Sequence, residues 1–282
     1  MRILLGDNPF FGVDHLSQER ARQRKATLRG FEGAVEVMKH VSQLGVNGFV
    51  VSTHPQLKHL LNYMKEKTDL LEKMEFYPIL PYAQGYVAKA TEMGMMGALN
   101  DVLSSGSMQH KFKILFRGAL GIVKKDMGKL LQTLIDVELL NIHHVKKRAL
   151  FLHNVITDLA IGLGMQEIIE MFIDQIKNEY KVEPGFVTIN FPKLINTFKE
   201  WNLPKPLVMT PFNPIGYMMN PSREECEKQL NAGKVIAMNV LAGGFLKPAQ
   251  SVPYISQLGI DSVVIGMSSK EHATETILAF RA

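Results

Sequence analysis

Three side chains able to move protons or hold a metal stand where apolar runs stop: Asp7, His54 and His153. Asp7 follows Ile3-Leu-Leu-Gly6 in a Gly-Asp-Asn-Pro turn, His54 comes two residues after Gly48–Ser52, and His153 ends Ala149-Leu-Phe-Leu. An apolar run closed by a polar residue reads as a buried strand whose C-terminal end opens on a loop. A histidine there exchanges protons near neutral pH, and a carboxylate supplies a base or orients one. The trio suits an acid/base group or a mixed histidine and carboxylate metal site. No HxH or HExxH spacing favours metal, and none is expected. Each residue has a structural alternative: Asp7 as turn former, His54 as helix start, His153 bonded to a neighbouring backbone group.

A second constellation suits an anion. Gly243 and Gly244 follow the run Val235–Val240, and Gly266-Met-Ser-Ser-Lys270 follows the last apolar run and opens into a helix. Backbone N–H groups at a helix start favour negative charge, so Gly243, Gly244, Gly266, Ser268, Ser269 and Lys270 are candidate phosphate-binding residues. Ser268 and Glu271 also fit a capping box, which needs no ligand. Asn190 is the candidate for orienting a carbonyl or amide. Asp158 either orients His153 or caps a helix.

The elements that must position these residues are legible as alternation. Strand-like runs at Ile3–Gly6, Gly48–Ser52, Phe76–Leu80, Ala149–His153, Phe186–Asn190, Leu207–Thr210, Val235–Val240 and Ser262–Gly266 are separated by amphipathic stretches. The helices are expected near Phe31–Leu44, Gln56–Lys67, Val87–Leu103, Met127–Val145, Met165–Tyr180, Pro192–Trp201, Arg223–Asn231, Val252–Leu258 and Lys270–Phe280, with Gly45, Gly233 and Gly259 as helix stops. Strand and helix in eightfold alternation predict an α/β fold, a (β/α)8 TIM barrel in one domain over residues 1–282. The loop 7–30 is long for a βα connection and could act as a lid through Phe10-Phe11-Gly12. Residues 104–125 read as an insertion before the fourth strand.

With 46% hydrophobic and 21% charged residues, the 282-residue chain lies in the globular range. A lone cysteine, Cys226, excludes an internal disulfide, so a reducing, cytoplasmic setting is expected. No apolar run is long enough for a membrane span. The net charge of +5 is mostly interleaved with acids, apart from Arg20, Arg22, Arg24, Lys25 and Arg29. No nucleic-acid signature accompanies that cluster, and a small anionic substrate is the expected partner. Oligomeric state is not readable.

The chain resembles the aldo/keto reductases over most of its length. Leu44-Gly-Val-Asn-Gly-Phe-Val-Val-Ser-Thr53 resembles the family's passage into its second strand, with Ser52 in the place of the catalytic aspartate. Ala149-Leu-Phe-Leu-His-Asn154 resembles the fourth strand, so the resemblance implies an active-site role for His153. Thr188-Ile-Asn-Phe191 is similar to the nicotinamide-gripping end of the fifth, with Asn190 matching and Ile189 in place of a serine. Met209 stands where a glutamine and Met238 where a stacking tyrosine are usual. Ser268-Ser-Lys270 resembles the phosphate end, which implies NADP as cofactor. The loop Thr53-His-Pro-Gln-Leu has no tyrosine and the third strand no lysine, so of four catalytic positions only His153 carries over. The resemblance implies an enzyme acting on a small carbonyl or phosphorylated metabolite at the C-terminal barrel face, an NADP-dependent oxidoreductase. Two alternatives stay open: a non-redox lyase, isomerase or metal-assisted hydrolase built from Asp7, His54 and His153, and a barrel that binds or regulates without catalysis.

Overall fold

The computed structural model describes residues 1–12, 30–82, 126–140 and 142–282. Eight parallel strands close into a barrel in chain order: β1 (Arg2–Gly6), β2 (Gly48–Ser52), β3 (Glu75–Leu80), β4 (Ala149–Leu152), β5 (Glu183–Val187), β6 (Leu207–Pro211), β7 (Lys234–Met238) and β8 (Ser262–Gly266). The seam is the β1–β8 pair, in register from Arg2 opposite Ser262 to Gly6 opposite Gly266. The expected barrel is thus the observed one. The insertion expected at 104–125, the helix expected at 87–103, and residues 13–29 of the first loop with the basic cluster lie outside the described residues.

Side chains alternate along each strand, so one set faces the barrel axis and the other the helices. The inner set, including Leu4, Val50, Tyr77, Phe151, Val187, Met209 and Ile236, forms a buried cluster of its own. The outer set, including Leu5, Phe49, Phe76, Leu152, Phe186 and Val263, packs under the helices. The outer ring closes across the same seam. Helix Phe31–Gln43 meets helix Lys270–Arg281, with His40 Nε2 2.7 Å from Thr274 Oγ1 and Lys270 Nζ 3.1 Å from Glu36 Oε2.

Several boundaries differ from expectation, and two departures have a clear physical reason. The fifth strand begins at Glu183 and ends at Val187, earlier than Phe186–Asn190, because Pro184-Gly185 does not break it. Gly185 is there for space: a Cβ at this position would lie 2.4 Å from Cε1 of Phe151 on the neighbouring strand. A helix not expected, Asn154–Gly162, starts immediately after His153 and precedes the expected one at Gln166–Asn178. Of the three glycine stops, Gly45 and Gly259 adopt the left-handed conformation, φ 76° and 65°. Gly233 does not, and it borders Phe191 and Ile195 instead.

Because Phe151 is completely buried, Gly185→Ala forces overpacking and should destabilise the fold by about 1–3 kcal/mol. Adding Phe151→Leu should recover part of the loss. Denaturant unfolding of the single and double variants measures this, and an unchanged midpoint in Gly185→Ala would refute it.

Candidate functional site

The mouth is built outward from the turn after β1. Asp7 begins the short helix Asn8–Phe11, its carbonyl accepting from Phe10 N–H at 2.8 Å, while Pro9 fits the first turn, where no N–H partner is needed. The Asp7 side chain does not cap that helix. It turns instead to the end of β2, where Oδ2 accepts from Ser52 N–H at 2.7 Å and from Ser52 Oγ–H at 2.6 Å. Asp7 is only 6% exposed. Burial raises its pKa from 3.8 to about 6, against the lowering effect of the Ser52 bonds. Among the described residues no cation acts on it, and its side-chain donors are the Ser52 N–H and hydroxyl.

His54 packs face to face on Phe11, with ring centroids 4.6 Å apart, and edge-on to Tyr82 at 5.0 Å. Its Nδ1 accepts from Gln56 N–H at 3.1 Å, which is the helix-start role. Burial, with the Asp7 charge second, pushes the Tyr82 hydroxyl above its usual pKa, so this phenol stays protonated. Asp7, Ser52, His54 and Tyr82 are therefore one contiguous group drawn from the first three strands. Beneath it lies Glu138, on the helix Asp126–Leu140 and buried. It accepts from Thr53 Oγ–H at 2.5 Å and from the Tyr82 N–H at 3.0 and 3.1 Å, tying the end of β2 to that of β3. Nothing in the local sequence marks Glu138, since Asp136-Val-Glu-Leu reads as an ordinary amphipathic helix.

His153 is one strand further round, its N–H donating to Leu80 carbonyl at 2.9 Å. It makes no hydrogen bond to Asp7 or His54 through its side chain. As N-cap of helix Asn154–Gly162, its Nδ1 accepts from Val155 N–H at 3.2 Å. Burial lowers its pKa, so the ring is neutral at pH 7 and carries its proton on Nε2. Asp158 does not orient it. That carboxylate accepts from the Thr188 hydroxyl and, at 3.3 Å, from Ile189 N–H, fixing the loop after β5. The same loop places Asn190 as N-cap of helix Phe191–Glu200, its Oδ1 accepting from Lys193 N–H at 3.2 Å, which leaves its amide N–H groups as donors.

The loops after β7 and β8 complete the rim. Asn239, Ala242, Gly243 and Gly244 all have positive φ, and the turn is tied down by Ser251 Oγ donating to Val240 carbonyl. Gly243 and Gly244 are thus required by backbone geometry. Gly266 is required by space, because a Cβ there would meet Pro9 at 3.0 Å. The cap of the last helix is Ser269, whose Oγ accepts from His272 N–H at 3.2 Å, and not Ser268. Ser268 is half-buried and Lys270 is exposed beside Glu36. Among the described residues no three His, Cys, Asp or Glu side chains gather as a metal site, and no helix is long and apolar enough to cross a membrane.

Many solved structures similar to this architecture are aldo-keto reductases. The aldo-keto reductase AKR11C1 from Bacillus halodurans in its holo form matches over 100% of this chain and 87% of its own, at 13% identity and a TM-score of 0.58. The thermostable aldo-keto reductase Tm1743, in complex with the inhibitor epalrestat, matches over 99% and 89%, at 10% identity and 0.56. The chain has the aldo/keto reductase fold. A Bombyx mori aldo-keto reductase, AKR2E4, in complex with NADP, matches over 99% and 84%, at 10% identity and 0.51. No protein-family model matches the sequence, and no curated protein matches it. Likeness at these identities establishes the aldo/keto reductase barrel and leaves the reaction to the site itself.

The raised Asp7 pKa has a defined stability signature. A carboxyl group whose folded pKa exceeds its unfolded value costs nothing at low pH. Stability is then lost as pH rises from 3.8 towards about 6, and the loss is constant above that. The full effect is about 3 kcal/mol. Asp7→Asn should therefore be more stable than the wild type at pH 8, with the difference shrinking towards pH 4. Urea unfolding across this range tests it; a difference independent of pH would contradict the assignment.

Proposed function

We propose that the chain is an enzyme that uses NADP to interconvert a small anionic carbonyl compound and its alcohol at the C-terminal mouth of the barrel. The observation that carries this reading is the Asp7 carboxylate bonded to Ser52. Ser52 stands where the resemblance places a catalytic aspartate, and the buried Asp7 carboxylate, from the end of the neighbouring strand, is bonded to it. A carboxylate is thus present without being encoded on β2.

In this reading His153 Nε2–H donates to the substrate oxygen. Its neutral state at pH 7 and its fixed Nδ1 acceptor bond keep that proton directed away from its own backbone. Asp7, with a pKa of about 6, exchanges a proton with the substrate or its bound water through Ser52. His54, held between Phe11 and Tyr82, limits water and presents a flat apolar edge to the substrate. The residues at the cofactor end fit NADP in part: Ser268, Ser269, Lys270 and the N–H groups of a twelve-residue helix suit its phosphates, and Asn190 N–H suits its carboxamide. Gly243, Gly244 and Gly266 leave the backbone low around that cradle. When bound, NADP supplies or accepts the hydride.

The raised Asp7 pKa also favours a second reading, a non-redox isomerase or lyase that abstracts a proton beside a carbonyl. One experiment separates the two. Titration with NADPH, followed by nicotinamide fluorescence and thermal shift, should saturate in the micromolar to low millimolar range. Lys270→Gln should weaken it by about tenfold, the loss of one charge on a phosphate. His153→Ala should leave binding intact and lower turnover of small aldehydes by about 100-fold or more. Absence of binding at millimolar NADPH would remove the oxidoreductase reading and leave the proton-transfer one.

A further inference from the structure

The barrel end opposite the mouth holds a cavity of about 460 Å³, in the size range of small-molecule sites. Its walls are the first residues of β1 and β4–β8 and the loops leading into them. Its floor is Leu4, Ala149, Ile236 and Tyr77, all members of the inner cluster. Gly48 shapes that floor, since a Cβ would lie 2.3 Å from Leu4 Cδ2 and 3.3 Å from Tyr77 Cε2. The glycine leaves room for the Leu4 and Tyr77 side chains beside β2.

Four cations line the cavity, Arg2, Arg148, Lys205 and Lys234, against two carboxylates, Glu183 and Asp261. Three of the cations are engaged. Arg2 pairs with Glu75 at 2.7 Å, Lys234 with Glu183 at 2.8 Å, and Lys205 donates to Asn231 carbonyl at 2.7 Å. Among the described residues Arg148 makes no side-chain hydrogen bond or ion pair. Arg2 lies over the Tyr77 ring, 5.5 Å from its centroid. Burial raises the Tyr77 hydroxyl pKa and the Glu75 charge adds to it, while the charges of Arg2 and Arg148 and a hydrogen bond with Arg2 act the other way. Arg2, Arg148 and Tyr77 line one cavity above an apolar floor, which suits a multi-oxygen anion that carries an apolar body.

We propose that this basal cavity binds a small phosphate monoester, with Arg148 and the Tyr77 hydroxyl on the phosphate and Leu4, Ala149 and Ile236 against the organic part. The site is separate from the mouth and does not rest on the reaction proposed above. The ligand enters from the end of the barrel away from the mouth, so it does not compete with a ligand bound there.

The test uses the full chain, with inorganic phosphate and phenyl phosphate as probes at constant ionic strength, read by thermal shift and by ³¹P line broadening. Both should saturate, phenyl phosphate at about tenfold lower concentration because its ring meets the apolar floor. Arg148→Gln should weaken phenyl phosphate by about tenfold or more, and Tyr77→Phe, which keeps the ring and its packing, by several-fold. Lys270→Gln, at the mouth, should leave this binding unchanged. The proposal fails if neither probe saturates, if affinity is unchanged in Arg148→Gln or in Tyr77→Phe, or if Lys270→Gln is the variant that abolishes it.

Discussion

The molecule depends on the pairing that shuts the barrel, β1 against β8 in register over five residues. A sheet of parallel strands has two edges until this pairing forms, and closure removes both. It also brings Gly6 opposite Gly266, which seats Pro9 against the end of β8 and turns the chain so that Asp7 faces Ser52. The outer helices repeat the closure, Phe31–Gln43 resting on Lys270–Arg281. The same contact thus shapes the first turn, the last turn and the side chains held between them.

The two ends of the barrel treat charge in opposite ways. At the base, cations and carboxylates alternate around the rim and mostly pair in the open, where each pair contributes little to stability. At the mouth, a carboxylate is withdrawn from water and met by a hydroxyl and an amide, with no cation among its partners in the described residues. These neutral donors lower its proton affinity, but burial outweighs them and the pKa stays raised.

Much of this was legible in the sequence. All eight strands announce themselves because residues buried on both sides of a closed sheet form short continuous apolar runs. Pro184-Gly185 misleads because its usual turn meaning yields to the bulk of Phe151 next door, a partner 34 positions away. Helix Asn154–Gly162 is hidden because it follows β4 with no intervening turn, His153 serving as strand end and cap together. Asp7, His54 and His153 were visible as polar residues at strand ends, but their partners were not. That Asp7 binds Ser52, that Asp158 binds Thr188, and that Glu138 reaches in from a helix are facts of three-dimensional closure. Burial of a carboxylate on an amphipathic helix leaves no local trace.

The short bond from the Ser52 backbone N–H to Asp7 has one more implication. An amide proton that points at a carboxylate oxygen feels the arrival or loss of its charge directly, and its magnetic environment moves with it. The resonance of this one backbone group is therefore a built-in gauge of the ionisation state of the acid, readable through a titration with neither side chain altered.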